Sequence, residues 1–253
     1  MDEGMARLEV ADGIAIVSLD KPPVNAFDLR LVHDTEECLK KVEKDQDVRA
    51  VLITGKGKCF SAGLDLKTVP YYTPTQQRQM VEDLNRAVAW LYGFSLPTIA
   101  AVNGHAIAGG FILAIACDYR VGTSSACSLG VTESRVGIPF PACIMEVLRA
   151  ELRPEVARRM TLTGRLMGPD EALANGVLDE LCPAERVLAR AREIAMEFAA
   201  LPRGAYVKIK RQLRGEALAR MDQAMRTRSD PLLEMWIVEE GRTASAALLR
   251  EDA

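Results

Sequence analysis

The chain has 253 residues, of which 49% are hydrophobic and 26% charged, so it is long enough to bury a large core as one α/β domain or a core with a smaller appendage. A net charge of −3 and an isoelectric point near 5.6 leave no electrostatic footprint for nucleic acid or an anionic membrane surface. Six scattered cysteines without a C-x-x-C pair, an acidic start M-D-E-G-M-A-R and no apolar run long enough to span a bilayer predict a soluble, leaderless protein with reduced thiols, cytoplasmic in location.

In chain order, Arg7–Val10 and Ile14–Leu19 have strand character, and the Asp12-Gly13 pair between them suits a hairpin turn. The prolines of D-K-P-P-V-N-A-F exclude helix there, and Asp28 then starts one that runs to about Lys44. Arg49–Thr54 reads as a buried strand, followed by the strand-to-turn passage K-C-F-S-A-G-L-D-L at 58–66. Tyr71–Gln76 is expected to be loop, Gln77–Tyr92 helix and Thr98–Val102 strand.

The chain is organised around N-G-H-A-I-A-G-G-F-I-L-A-I-A-C-D-Y-R at 103–120. Asn103-Gly104 turns out of the preceding strand, Ala108-Gly109-Gly110 permits close backbone approach, and Phe111–Cys117 reads as a buried helix. A helix that opens at a glycine pair leaves amides free to hold a negative oxygen. Two strand-to-glycine-turn units, around 49–63 and 98–110, thus lie about fifty residues apart. In a parallel fold such turns converge at one sheet edge, and two amides aimed at one carbonyl oxygen form an oxyanion hole.

The stretch 121–141, rich in Gly, Ser and Pro, reads as short strands and turns on a loop-like surface rather than as regular helix. Taken alone, Glu133 within it is a solvated carboxylate or one paired with Arg135. Helices are expected at Ile144–Leu152, Pro154–Leu162, Pro169–Asn175 and Glu185–Leu201, with a strand at Val177–Leu181. Residues 1–200 are expected to form the core and 201–253 a helical region packed on it or on a neighbouring subunit. Lys208, Lys210, Arg211 and Arg214 read as a basic helix face, solvated or holding a ligand phosphate.

Other chemistries find no support. The two histidines, His33 and His105, have no partner at metal-ligand spacing, and neither a nucleophile elbow nor a phosphate-binding loop occurs; Ser61 has no evident histidine partner.

The motifs F-S-A-G-L-D-L (60–66), V-N-G-H-A-I-A-G-G through C-D-Y-R (102–120) and L-G-V-T-E-S-R-V-G-I-P (129–139) resemble the enoyl-CoA hydratase/isomerase (crotonase) superfamily. The resemblance implies an α/β spiral of ββα turns with a C-terminal helical trimerisation region, assembled as a homotrimer or a dimer of trimers. It implies an acyl-CoA thioester substrate and no separate cofactor, coenzyme A being part of the substrate. By the same resemblance the oxyanion amides fall on Leu64 and Gly109, the backbone near Ala62 and Leu66 meets the adenine end of coenzyme A, and Lys210 is a candidate for its phosphates.

Family hydratases carry two glutamates, at the positions of Ile112 and Glu133 here. Managing water and a carbon-bound proton suits two carboxylates, whereas one suffices to move a proton from C2 to C4 of a 3-enoyl thioester. With Ile112 apolar and beside it a single Glu133, the chain is most similar to mitochondrial-type Δ3,Δ2-enoyl-CoA isomerases. A hydratase or other lyase, and a non-catalytic CoA-binding protein of this fold, are the alternatives.

Overall fold

The computed structural model describes residues 4–234 and 237–251; the first three residues of the acidic start and the last two of the C-terminal region lie outside them. Strands β1 (Ala6–Ala11) and β2 (Ile14–Leu19) form the expected hairpin. Its two turn residues, Asp12 (φ 54°) and Gly13 (φ 74°), both take the left-handed conformation that matches the twist of paired strands. Helix α1 (Leu29–Lys44) begins where Asp28 accepts the Leu31 amide at 2.8 Å, and it leads into β3 (Ala50–Gly55).

From β3 onward the chain repeats one unit: a strand in a large sheet, a short strand in a second sheet, then a helix. The units are β3, β4 (Cys59–Ser61) and α2 (Pro74–Tyr92); then β5 (Thr98–Val102), β6 (His105–Ile107) and α3 (Gly109–Ile115); then β7 (Tyr119–Thr123), β8 (Leu129–Gly130) and α4 (Glu133–Val136). This is the expected spiral of ββα turns. The large sheet has the order β1-β2-β3-β5-β7-β9, where β9 is Glu180–Cys182, and is parallel apart from the β1–β2 pair. The second sheet is parallel, in the order β4-β6-β8.

Burial on both faces explains why β3 reads as one apolar run. Ala50 and Leu52 pack toward Val187, Ala191 and Ile194 of α8 (Val187–Ala199), while Val51 and Ile53 enter the main core with Leu39, Leu91 and Phe111. The remaining helices are α5 (Ala142–Glu151), α6 (Pro154–Thr163), α7 (Pro169–Ala174), α9 (Arg203–Thr227) and α10 (Glu239–Glu251).

Several expected boundaries move for local reasons. Helix α2 starts at Pro74 because Thr73 and Gln76 form a reciprocal capping box, and a 3-10 turn occupies Val69–Tyr71 just before it. Val177 and Leu178 do not pair as strand, since both donate to the Ala172 carbonyl and close α7. The short strands expected in 121–141 are present, as the end of β7 and as β8, but the stretch is not a surface loop: Val121, Leu129 and Val131 are fully buried, and the short helix α4 lies within it. Strands β6 and β8, three and two residues long, fall below the length at which alternation is visible in a sequence.

Helix α9 is joined to the core through a buried ionic cluster. Asp118, after α3, receives the Lys210 ammonium at 2.8 Å, the Tyr206 hydroxyl at 2.8 Å and the Arg214 guanidinium at 2.8 Å. Arg214 also donates to the carbonyls of Tyr92, Ala116 and Cys117, thereby closing the C-terminal end of α3.

Candidate active site

The second sheet explains the convergence of the site. Its three parallel strands end at one edge, and parallel sheets present ligand-binding groups beyond their C-terminal ends. Beyond β4 lies Ala62-Gly63-Leu64, beyond β6 lies Ala108-Gly109, and beyond β8 lies Thr132-Glu133.

Leu64 forms a parallel bridge with Phe27, in which the Phe27 amide donates to the Gly63 carbonyl at 2.6 Å and the Asp65 amide donates to the Phe27 carbonyl at 2.8 Å. A parallel bridge uses the neighbours of Leu64, so the Leu64 N–H itself points off the opposite side. Gly109 is the first residue of α3, where amides lack an intrahelical acceptor. The two turns touch: a Cβ at Gly109 would lie 3.7 Å from the Gly63 Cα. Ala108 between β6 and α3 takes φ 50°, ψ −123°, a conformation L-residues rarely adopt, and its amide is held by the Gly130 carbonyl at 2.8 Å. Backbone strain of this kind persists where surrounding structure enforces it.

Asn25 and Ser61 hold the β4 turn, and the sequence reading assigned neither a site role. Asn25 is buried with φ 52°, and its amide nitrogen donates to the carbonyls of Lys56, Cys59 and Phe60 at 3.1, 2.8 and 3.3 Å. Ser61 donates to the Asn25 carbonyl at 2.7 Å and accepts the Gly63 amide at 3.2 Å, so its hydroxyl serves the turn. The P-P-V-N-A stretch carries a sequence signal for this turn: asparagine, a residue that tolerates the left-handed conformation, follows two prolines closely.

Glu133 is 9% exposed, which corrects the reading of a solvated or Arg135-paired carboxylate. Arg135 instead donates to the Thr163 carbonyl, and Glu133 Oε2 has no hydrogen-bond partner among the described residues. Burial pushes the carboxyl up to about 7, against the backbone amides of Glu133 and Thr132, which pull it down. Its short helix packs through Val136 and Ile138 into the same apolar cluster as Phe27, Leu64 and Leu66.

Ile112 is 1% exposed in the main core, so position 112 supplies no second carboxylate. Ala62 and Leu66 are half-buried, with the Ala62 amide donated to the Val24 carbonyl at 3.0 Å and the Leu66 side chain on the Phe27 cluster. Lys210 stands apart from this edge. At 7% exposure its ammonium is spent on Asp118 and the Leu96 carbonyl, which corrects both the solvated basic face and the phosphate site expected of it. His105, at the start of β6, accepts the Ser128 amide through Nδ1.

Residues 9–245 match the family described as Enoyl-CoA hydratase/isomerase. The chain is 32% identical over 200 residues to mouse (Mus musculus) mitochondrial enoyl-CoA delta isomerase 1, covering 78% of this chain and 69% of that protein. It is 31% identical over 194 residues to the (E)-benzylidenesuccinyl-CoA hydratase of Thauera aromatica, covering 76% and 75%. The crystal structure of human mitochondrial delta3-delta2-enoyl-CoA isomerase superposes with a TM-score of 0.89 at 26% identity, covering 98% of this chain and 97% of that one. The family match spans most of the chain and relatives named for different reactions fall on it, and the chain belongs to the enoyl-CoA hydratase/isomerase family of the crotonase superfamily.

Proposed function

We propose that this protein is a Δ3,Δ2-enoyl-CoA isomerase acting on acyl-CoA thioesters of fatty-acid degradation. One observation carries the reading: a buried carboxylate with an unpartnered oxygen, Glu133, poised near neutrality at the strand edge that also bears the Leu64 and Gly109 amides, with isoleucine at position 112. In the proposed reaction ionised Glu133 takes a proton from C2 of a 3-enoyl thioester. Charge moves to the thioester oxygen, where the Leu64 and Gly109 N–H groups donate to the dienolate. Glu133 then returns the proton to C4, leaving a 2-enoyl thioester. The proton bookkeeping closes on one residue, and no further cofactor enters.

Burial supports Glu133 as the base, because a carboxyl at about 7 is half ionised at neutral pH and strong enough to accept a proton from carbon. Ala62 and Leu66 belong to the same proposal as backbone contacts for the adenine end of coenzyme A. So does assembly as a homotrimer or dimer of trimers; Ile209 (61% exposed) and Leu213 (83% exposed) on α9 offer an apolar face for it. Among the described residues no helix is long and apolar enough to cross a membrane, and cell fractionation tests the cytoplasmic expectation.

The deciding experiment incubates the purified protein with 3-enoyl-CoA and separately with 2-enoyl-CoA, for wild type and Glu133→Gln. Isomerisation by wild type and its loss in the variant are expected. Fast hydration of 2-enoyl-CoA without any positional shift would make the protein a hydratase, the reading favoured by its likeness to the Thauera hydratase. Binding of acyl-CoA without turnover of either substrate would make it a non-catalytic binding protein.

A further inference from the structure

Gly109 opens on a cavity of about 50 Å³ bounded by α1, α2 and α3. Its walls are apolar: Val32 and Leu39 from α1, Leu84 and Leu91 from α2, Leu113 and Ala116 from α3. Phe27 stands at the same mouth as Gly109, with its ring 3.2 Å from where a Gly109 Cβ would be. One charged group interrupts this lining. Glu36 is 2% exposed, and its two oxygens are gripped by Arg86, Nε at 3.1 Å and Nη2 at 2.9 Å. Arg86 also binds Asp83 at 2.7 Å and is half exposed, so the ion pair runs from the cavity wall across the α1–α2 seam to solvent.

Packing alone does not call for this arrangement, because an apolar side chain fills such a wall without desolvating a carboxylate. A bidentate clamp between two helices does what an apolar contact cannot: it fixes their separation in one geometry. We infer that the Glu36–Arg86 pair sets the acyl-chain length this enzyme accepts, by closing the α1–α2 wall of a tail pocket that begins at Gly109. The inference rests on the acyl-CoA reading above. The pocket has about a third of the roughly 150 Å³ in which a benzene ring is held, room for about two carbons beyond the reacting segment, hence an acyl group of about six carbons.

Saturated acyl-CoA thioesters of two, four, six, eight, ten and twelve carbons, titrated calorimetrically into the whole protein, read this out without turnover. Each buried methylene tightens Kd about fourfold. For wild type the tightening is expected to stop near six carbons. Glu36→Ala, which leaves Arg86 paired with Asp83, is expected to move that stop outward by two to four carbons; Ala87→Leu, which fills the cavity from α2, is expected to move it inward. If Glu36→Ala binds the series with the wild-type stop, the clamp does not set chain length, whatever Ala87→Leu does, and the acyl-CoA reading stands without it. If no thioester of the series binds wild type, the acyl-CoA reading itself fails and takes the clamp with it.

Discussion

A Cβ carried on Gly63 would stand 2.9 Å from the amide nitrogen of Gly109. It would also lie 2.6 Å from the Ala108 Cβ and 2.7 Å from the Ile107 carbonyl oxygen, at a backbone φ of +80°. The two turns therefore close on each other only because position 63 has no side chain. Gly63→Ala is expected to lower stability by about 2 kcal/mol or more through left-handed strain and backbone contact. It is also expected to lower kcat/KM of the proposed isomerisation by about 10² or more, because separating the turns spoils the two amides proposed as oxyanion donors. Denaturant melts and steady-state kinetics check the pair; an unchanged rate would show that the turns need not touch.

Glu133 gives two pH signatures. In the proposed isomerisation Glu133 acts only when ionised, so kcat/KM is expected to fall about tenfold per pH unit below about 7 and to level off above it. For stability the sign runs the other way. A folded-state carboxyl at about 7 against an ordinary 4.5 binds its proton more tightly when folded, so its contribution is full below about 4.5 and is lost as pH rises through 7. Glu133→Gln is therefore expected to be more stable than wild type at pH 8, by about 3 kcal/mol at most, with the gap closing toward pH 4.5. A variant that is both inactive and stabilised at high pH separates loss of a base from loss of a fold.

Asn25 tests the scaffold beneath the β4 turn. Its amide nitrogen serves three carbonyls, so Asn25→Asp keeps the shape and turns an oxygen toward the oxygens of Lys56, Cys59 and Phe60. The expected cost is about 3 kcal/mol, more than a surface Asn→Asp change by an order of magnitude. Thermal melts at pH 7 read it, and a shift under 1 °C would mean that the turn is held elsewhere.

The residues that met at the site were readable because each sits in a local pattern: F-S-A-G-L before one amide, A-I-A-G-G before the other. What joins them was not, since β4, β6 and β8 have three residues or fewer and carry no periodicity. Glu133 misled when taken alone for the same reason. Its helix α4 packs on α6 and α10, and Val136 joins the distant Phe27 cluster, contacts made by the tertiary fold and invisible in a Gly- and Ser-rich stretch. Lys208, Lys210, Arg211 and Arg214 lie on one helix, and which of them face Asp118 is fixed only when α9 docks.

That docking gives the last prediction. Asp118 answers two buried cations, Lys210 and Arg214, and burial drags the Lys210 ammonium below its usual range while Asp118 pulls it back up. Asp118→Ala leaves Lys210 without its carboxylate and Arg214 with Glu151 alone, at 3.3 Å, and is expected to cost about 3–5 kcal/mol. Lys210→Met removes one cation and keeps much of the buried stem; with Arg214 still opposite Asp118, the expected cost is smaller, about 1–2 kcal/mol. Because the Lys210 ammonium is committed inside the protein, its removal is expected to leave the Kd for free coenzyme A within about twofold, where loss of a phosphate contact would weaken it by about tenfold. Parallel denaturant melts and coenzyme A titrations of the two variants distinguish an internal tie from a ligand contact, and a tenfold loss of coenzyme A affinity in Lys210→Met with unchanged stability would reverse the assignment made from its burial.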